Sequence, residues 1–234
     1  MAFAVQLRSV VALVGRFPAL AGIDLDVAPG EVVLLRGPNG AGKTSVLRAC
    51  AGLLAIVSGE ASVLGHDLRR DRRSVRRHVG MLGHAGFLYD DLTAEENVRF
   101  VARASERADA QARTADARTG PVLARLGLSG RLRDVPVSRL SAGQRRRVSI
   151  AALVVRNSRL WLLDEPHAGL DAEGRELLDE LVREAVGAGA TVLFTSHEGD
   201  RAAALADRTV TMSGGQVQVP PPTPDQRRTA VHVA

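Results

Sequence analysis

The sequence predicts an α/β fold built on a parallel sheet, and three observations carry the prediction. Leu160–Leu163 and Thr191–Phe194 are continuous apolar runs, the pattern of strands buried on both faces. Ala172–Val186 lies between them with helical periodicity, and a strand–helix–strand order calls for a parallel pair joined by a helical crossover. A third apolar run, Val32–Leu35, leads into a glycine-rich loop and then a helix predicted from about Lys43 to Leu54.

The other elements follow in chain order. Val5-Gln6-Leu7-Arg8 and Ile23-Asp24-Leu25-Asp26-Val27 alternate apolar and polar residues, as half-exposed antiparallel strands do. Pro29-Gly30 is a turn, and Ala61–Leu64 reads as a further short strand. Arg69–Arg77 is a basic run that suits a solvated face, a partner or lipid headgroups. Residues 93–155 are mostly helical in pattern, with a break predicted at Gly120-Pro121. Thr209–Val219 reads as a hairpin about Gly214-Gly215, and Pro220–Ala234 as a proline-rich tail without fixed structure.

Composition narrows the function classes. No run of about 18 apolar residues occurs, so no transmembrane helix is expected. The first ten residues lack a signal-peptide pattern, and the single cysteine, Cys50, forms no internal disulfide. These features place the expected location in the cytoplasm. The net charge of +5 is compatible with nucleic acid, an anionic membrane surface or a GC-rich genome. Among 31 basic residues, Lys43 is the one lysine. It stands where a compact ammonium on a flexible stem is required and a guanidinium is not equivalent.

Lys43 belongs to Gly37-Pro38-Asn39-Gly40-Ala41-Gly42-Lys43-Thr44, which fits G-x-x-x-x-G-K-[ST] between a strand and a helix. Glycines let backbone N–H groups approach phosphates, and the helix N-terminus adds unpaired donors and its dipole. Lys43 is expected to reach the β- and γ-phosphates and Thr44 to hold Mg²⁺, with Ser45 beside it in the nucleotide site. The strand Leu160–Leu163 ends in Asp164-Glu165. Asp164 suits a Mg²⁺ role, and Glu165 suits polarisation of an attacking water.

Leu140-Ser141-Ala142-Gly143-Gln144 resembles the LSGGQ signature of ABC-type ATPases, with Ala142 for the first glycine. Locally, Ser141 and Gln144 also suit a capping box at a helix start. Asp164-Glu165-Pro166 looks like the Walker B end of that family, Ala168-Gly169-Leu170-Asp171 resembles its D-loop, and Thr195-Ser196-His197 matches its switch histidine. His84 occupies the place of the Q-loop glutamine, and Val14 that of the adenine-stacking aromatic, with Phe17 the nearest aromatic. His84, the signature and residues 88–97 together resemble the CcmA group, the ATP-binding subunits of the haem exporter in cytochrome c maturation. His167, where Thr, Ser or Phe is common, fits that group less neatly.

The resemblance implies a P-loop, RecA-like core with an antiparallel β subdomain and a helical signature subdomain at about 90–156, the whole cassette covering residues 1–219. It implies ATP and Mg²⁺ as cofactors, with Lys43, Glu165 and His197 as catalytic residues and Thr44 and Asp164 at the metal. The phosphate-loop residues, His84 and Asp171 join the nucleotide site. Ser141, Gly143 and Gln144 are implied to meet the ATP of a second subunit in a head-to-tail pair. His84 is implied to stand near Mg²⁺ and the membrane partner rather than to ligate haem. Polytopic permease subunits are the implied partners, at the cytoplasmic face of a bacterial membrane. Export of a drug or lipid is the alternative, and action on nucleic acid or ribosomes a third reading; no nucleic acid is expected.

Overall fold

The computed structural model describes residues 3–83, 87–105 and 109–218, with residues 109–116 by backbone alone. Two sheets organise it. Strands β1 (Val5–Val14) and β2 (Phe17–Val27) pair antiparallel, as their alternation predicts, and β4 (Ile56–Val63) pairs with β1 on the other side. With β5 (His66–Asp67) they form a four-stranded sheet in the order β2-β1-β4-β5. Strand β4 starts earlier than its apolar core at Ala61–Leu64 suggests, because pairing with β1 continues to Ala12↔Ile56.

The second sheet runs in the order β10-β9-β3-β8-β7-β6. Its members are β3 (Val32–Arg36), β6 (Val79–Leu82), β7 (Leu160–Leu163), β8 (Thr191–Thr195), β9 (Arg208–Ser213) and β10 (Gln216–Gln218). All its pairs are parallel except the β9–β10 hairpin. Each central strand is buried on both faces, which explains the unbroken apolar runs.

Alternation along these strands divides the interior in two. Val33, Leu35, Leu160, Leu162 and Leu193 face a core shared with β1, β2 and helix α1 (Lys43–Cys50). Val32, Leu34, Trp161, Leu163, Val192 and Phe194 face the opposite core. That core is covered by α2 (Ala94–Ser105), α3 (Asp109–Arg125), α4 (Ala142–Arg156) and α5 (Ala172–Gly187). A short α6 (Gly199–Leu205) completes the set. Cys50 is fully buried in the first core, and burial pushes its thiol up to about 12, so it stays a neutral packing group.

Two helix boundaries differ from the sequence prediction. Helix α1 ends at Cys50, short of Leu54. The Leu53 amide bonds the Arg48 carbonyl at 2.8 Å, a closing turn that sends the chain toward β4. Helix α3 runs through Gly120-Pro121 without a break. Pro121 removes one helical hydrogen bond, but Leu123 and Leu126 beyond it are buried in the core, and that packing holds the last turns. The tail predicted from Pro220 lies outside the described residues.

Candidate functional site

The phosphate-loop sequence joins β3 to α1 at the C-terminal edge of the parallel sheet, where sheet ligands normally sit. Gly42 precedes the helix with φ +97, and a Cβ there would lie 2.7 Å from the Ala19 carbonyl oxygen. At Gly37, φ +148, a Cβ would lie 2.2 Å from the Met212 carbonyl oxygen. Both positions therefore exclude a side chain for local reasons. No side chain caps α1, so its first amides remain available as anion donors. The Lys43 ammonium is buried and donates to the carbonyls of Gly37 and Pro38 at 2.8 and 3.0 Å, folded along its own loop.

The β9–β10 turn braces this loop. Gly215 donates to the Ala41 carbonyl at 3.1 Å and accepts from the Ala21 amide at 2.9 Å. One turn thus joins the loop to β2, a long-range contact that the sequence does not announce.

Strand β7 delivers the two acids. Asp164 accepts from the Thr44 hydroxyl at 2.9 and 3.1 Å and from the Thr195 hydroxyl at 2.8 Å. The hydroxyl and carboxylate of Thr44 and Asp164 are hard oxygen donors, the chemistry that suits Mg²⁺, an ion that keeps waters and leans on substrate phosphates. Among the described residues no cluster of three or more His, Cys, Asp or Glu side chains could cage a metal alone. Glu165 takes a left-handed backbone, φ +47, unusual outside glycine. Its amide donates to Thr195 Oγ1 at 3.0 Å. Its carboxylate accepts from the His197 amide at 3.1 Å and stands 3.4 Å from the His197 ring.

Asn39 to Ser45, Asp164, Glu165 and His197 therefore line one cleft of about 410 Å³, together with Ala19. Val14 and Phe17 pair at the tip of the β1–β2 hairpin, 52% and 79% exposed. Ser141, Gly143, Gln144 and Asp171 do not line the cleft. Ser141 and Gln144 form a full capping box at 3.2 and 2.9 Å, with Ser141 exposed at the start of α4. Asp171 caps α5 through Gly174 at 2.9 Å and is paired with Arg147. The Gly174 amide and then the Arg147 charge hold its carboxyl below the usual range. His84 lies outside the described residues.

Thr195 belongs to the Thr195-Ser196-His197 motif, but its bridging of Asp164 and Glu165 arises only from the pairing of β7 with β8. His167 is buried and its Nε2 lies 2.8 Å from Asp179, which also accepts from Arg201 at 2.7 Å. This joins the turn after Glu165 to the helix after His197. Burial works against the Asp179 charge, but His167 and Arg201 together pull its carboxyl below the usual range.

Asp179→Ala leaves a buried imidazole and a guanidinium without their acceptor, and a loss of roughly 2–4 kcal/mol is expected. A depressed folded-state value means the contribution is present above the unfolded carboxylate value of about 3.9 and disappears as pH falls through the folded one. Thermal melts of both proteins should thus show a wide gap near neutral pH that narrows below about pH 4. A gap independent of pH would show that the carboxylate charge is not its source.

The family model described as ABC transporter matches residues 20–168. The cytochrome c biogenesis ATP-binding export protein CcmA of Bordetella bronchiseptica is 38% identical over 198 residues, 85% of this chain and 86% of that one. A daunorubicin resistance ATP-binding protein, DrrA3 of Streptomyces coeruleorubidus, is 39% identical over 199 residues, 85% of this chain and 62% of that one. A solved ATP-binding cassette, dimeric, in a post-hydrolysis state and bound to ADP and Pi, superposes with TM-score 0.81 at 26% identity, covering 92% of this chain and 97% of that one.

Proposed function

The chain belongs to the ABC transporter family, and from that membership we propose that it drives export through separate membrane subunits in a haem-exporter-like complex of cytochrome c biogenesis. It is the ATP-binding subunit, and ATP hydrolysis is its activity. The carrying observation for the haem reading is the likeness to CcmA across most of both chains. The likeness to a daunorubicin resistance protein supports drug export as the second reading.

In the proposed site the loop amides and Lys43 hold the β- and γ-phosphates, and Thr44 and Asp164 hold Mg²⁺, which supplies charge neutralisation on the phosphates. Glu165 polarises the attacking water, and His197, within 3.4 Å of it, contacts the γ-phosphate. The exposed N-cap at Ser141 and the adjacent Gly143 meet the nucleotide of a second subunit, head to tail; their position away from the chain's own cleft supports this. Asp171 acts by fixing the start of α5 through Gly174. From its place in the sequence, where the family has its Q-loop glutamine, His84 is assigned a role near Mg²⁺ and the membrane partner.

No described helix is long and apolar enough to cross a membrane. The likeness to CcmA supports peripheral attachment to permease subunits at the cytoplasmic face. An apolar groove lined by Leu53, Met81, Phe87, Leu88, Val101 and Leu153 is the proposed seat of a permease segment. Phe87 is 66% exposed at its edge. Phe87→Glu should weaken permease capture about tenfold or more, because burying a large apolar side chain is worth roughly 1.5–3 kcal/mol. Pull-down from membranes tests this, with ATP binding by the isolated chain expected to be unchanged. Undiminished capture would remove the groove from the interface.

Deletion of the gene, scored for holocytochrome c and for drug sensitivity, tests the transport reading. Loss of holocytochrome c with unchanged drug tolerance is expected. The reverse result would favour the second reading.

A further inference from the structure

Three consecutive arginines open α4, and each has a different target. Arg145 donates to the Leu140 carbonyl at 3.0 Å, and Arg147 pairs with Asp171 at 2.9 Å. Arg146 is 9% exposed and, among the described residues, pairs with no carboxylate. Its guanidinium donates instead to main-chain carbonyls at the ends of two strands. Nη1 reaches Gly83 at 2.7 Å, Nη2 reaches Glu165 at 2.6 Å and Asp164 at 3.3 Å, and Nε reaches Pro166 at 3.3 Å. Removing a guanidinium from water is costly unless its donors are satisfied, and here backbone dipoles satisfy them.

The target matters as much as the burial. Glu165 sits in a left-handed conformation, a strained one for a residue other than glycine. Its amide is held by Thr195 and its carbonyl by Arg146, so the residue is fixed on both sides. The same guanidinium is carried by the helix that Ser141 caps, and it also holds the end of β6 at Gly83. A planar fork can reach these carbonyls at once, whereas a lysine ammonium would reach only some of them.

We infer that Arg146 is a positioning residue for hydrolysis: it locks the strained Glu165 backbone and ties it to the signature helix. Displacement of that helix, when Ser141 meets the second subunit's nucleotide, then acts directly on the Glu165 main chain. The inference rests on the proposed role of Glu165.

The test compares Arg146→Met, Arg146→Lys and Glu165→Gln with the parent chain. Each is measured for thermal midpoint, ATP dissociation constant and kcat per molecule able to bind nucleotide. Arg146→Met should lose at least tenfold in kcat while its ATP dissociation constant stays within about twofold, and Arg146→Lys should recover part of the loss. Because kcat is counted per binding-competent molecule, a purely structural role would lower the midpoint and leave kcat intact. A folded Arg146→Met with parental kcat, beside an inactive Glu165→Gln, overturns the inference and leaves the site reading standing. Parental kcat in Glu165→Gln overturns the site reading itself. Should Arg146→Met fail to fold, Arg146→Lys carries the same comparison: parental kcat overturns the inference, and a reduced kcat with unchanged ATP binding supports it.

Discussion

Glu165→Gln is expected to bind ATP as the parent does and to hydrolyse it roughly 10²–10⁴-fold more slowly, the span that general-base catalysis commonly supplies. The amide keeps the size of the carboxylate and loses its basicity and charge. Lys43, Thr44 and Asp164 are untouched, and their mutual contacts along the loop and β7 do not depend on Glu165. The γ-phosphate therefore persists. In the proposed head-to-tail pair it continues to bridge to Ser141 and Gly143 of the second subunit, so the variant should accumulate as an ATP-bound dimer. Light scattering over a concentration series, with and without ATP, measures this. Parental turnover would refute the catalytic assignment. An inactive variant saturated with ATP and monomeric throughout would refute the pairing geometry.

Lys43→Arg is expected to bring hydrolysis close to zero. Lys43 is buried and its ammonium donors already lie against the carbonyls of Gly37 and Pro38, in a loop packed closely on the Met212 and Ala19 carbonyls at Gly37 and Gly42. A planar guanidinium is broader, differently hydrated and unable to present a point charge from the same place. Loss of transition-state charge stabilisation at such a site costs about 10²–10³ in kcat, and displacement of the phosphates adds to it. Steady-state phosphate release with nucleotide titration checks the result. Turnover at the parental rate would show that charge alone suffices at this position.

Much of the fold was legible because its signals are local. Val32–Leu35, Leu160–Leu163 and Thr191–Phe194 are apolar without interruption since both sheet faces are covered, and the phosphate loop needs its glycines wherever it occurs. Sequence and structure part where packing overrides local preference: Gly120-Pro121 lies within α3 because Leu123 and Leu126 are anchored beyond it. The parts of the site that could not be read are those that depend on direction or distance. Arg145, Arg146 and Arg147 look alike in sequence, and only the helix phase separates the one aimed at the strand ends. The Asp179 link between His167 and Arg201 likewise joins three separate elements, and only their packing brings it about.

The brace at Gly215 bears on how the chain matures on the ribosome. The phosphate loop is made early, yet the hydrogen bonds that brace it against β2 come from the turn after β9, far later in the described chain. Synthesis proceeds at about 5–20 residues per second, so these partners emerge many seconds apart. Until the late hairpin arrives, the Ala41 carbonyl and the Ala21 amide lack the partners that Gly215 gives them. The bracing of the loop is therefore expected to be complete only after this hairpin has been made.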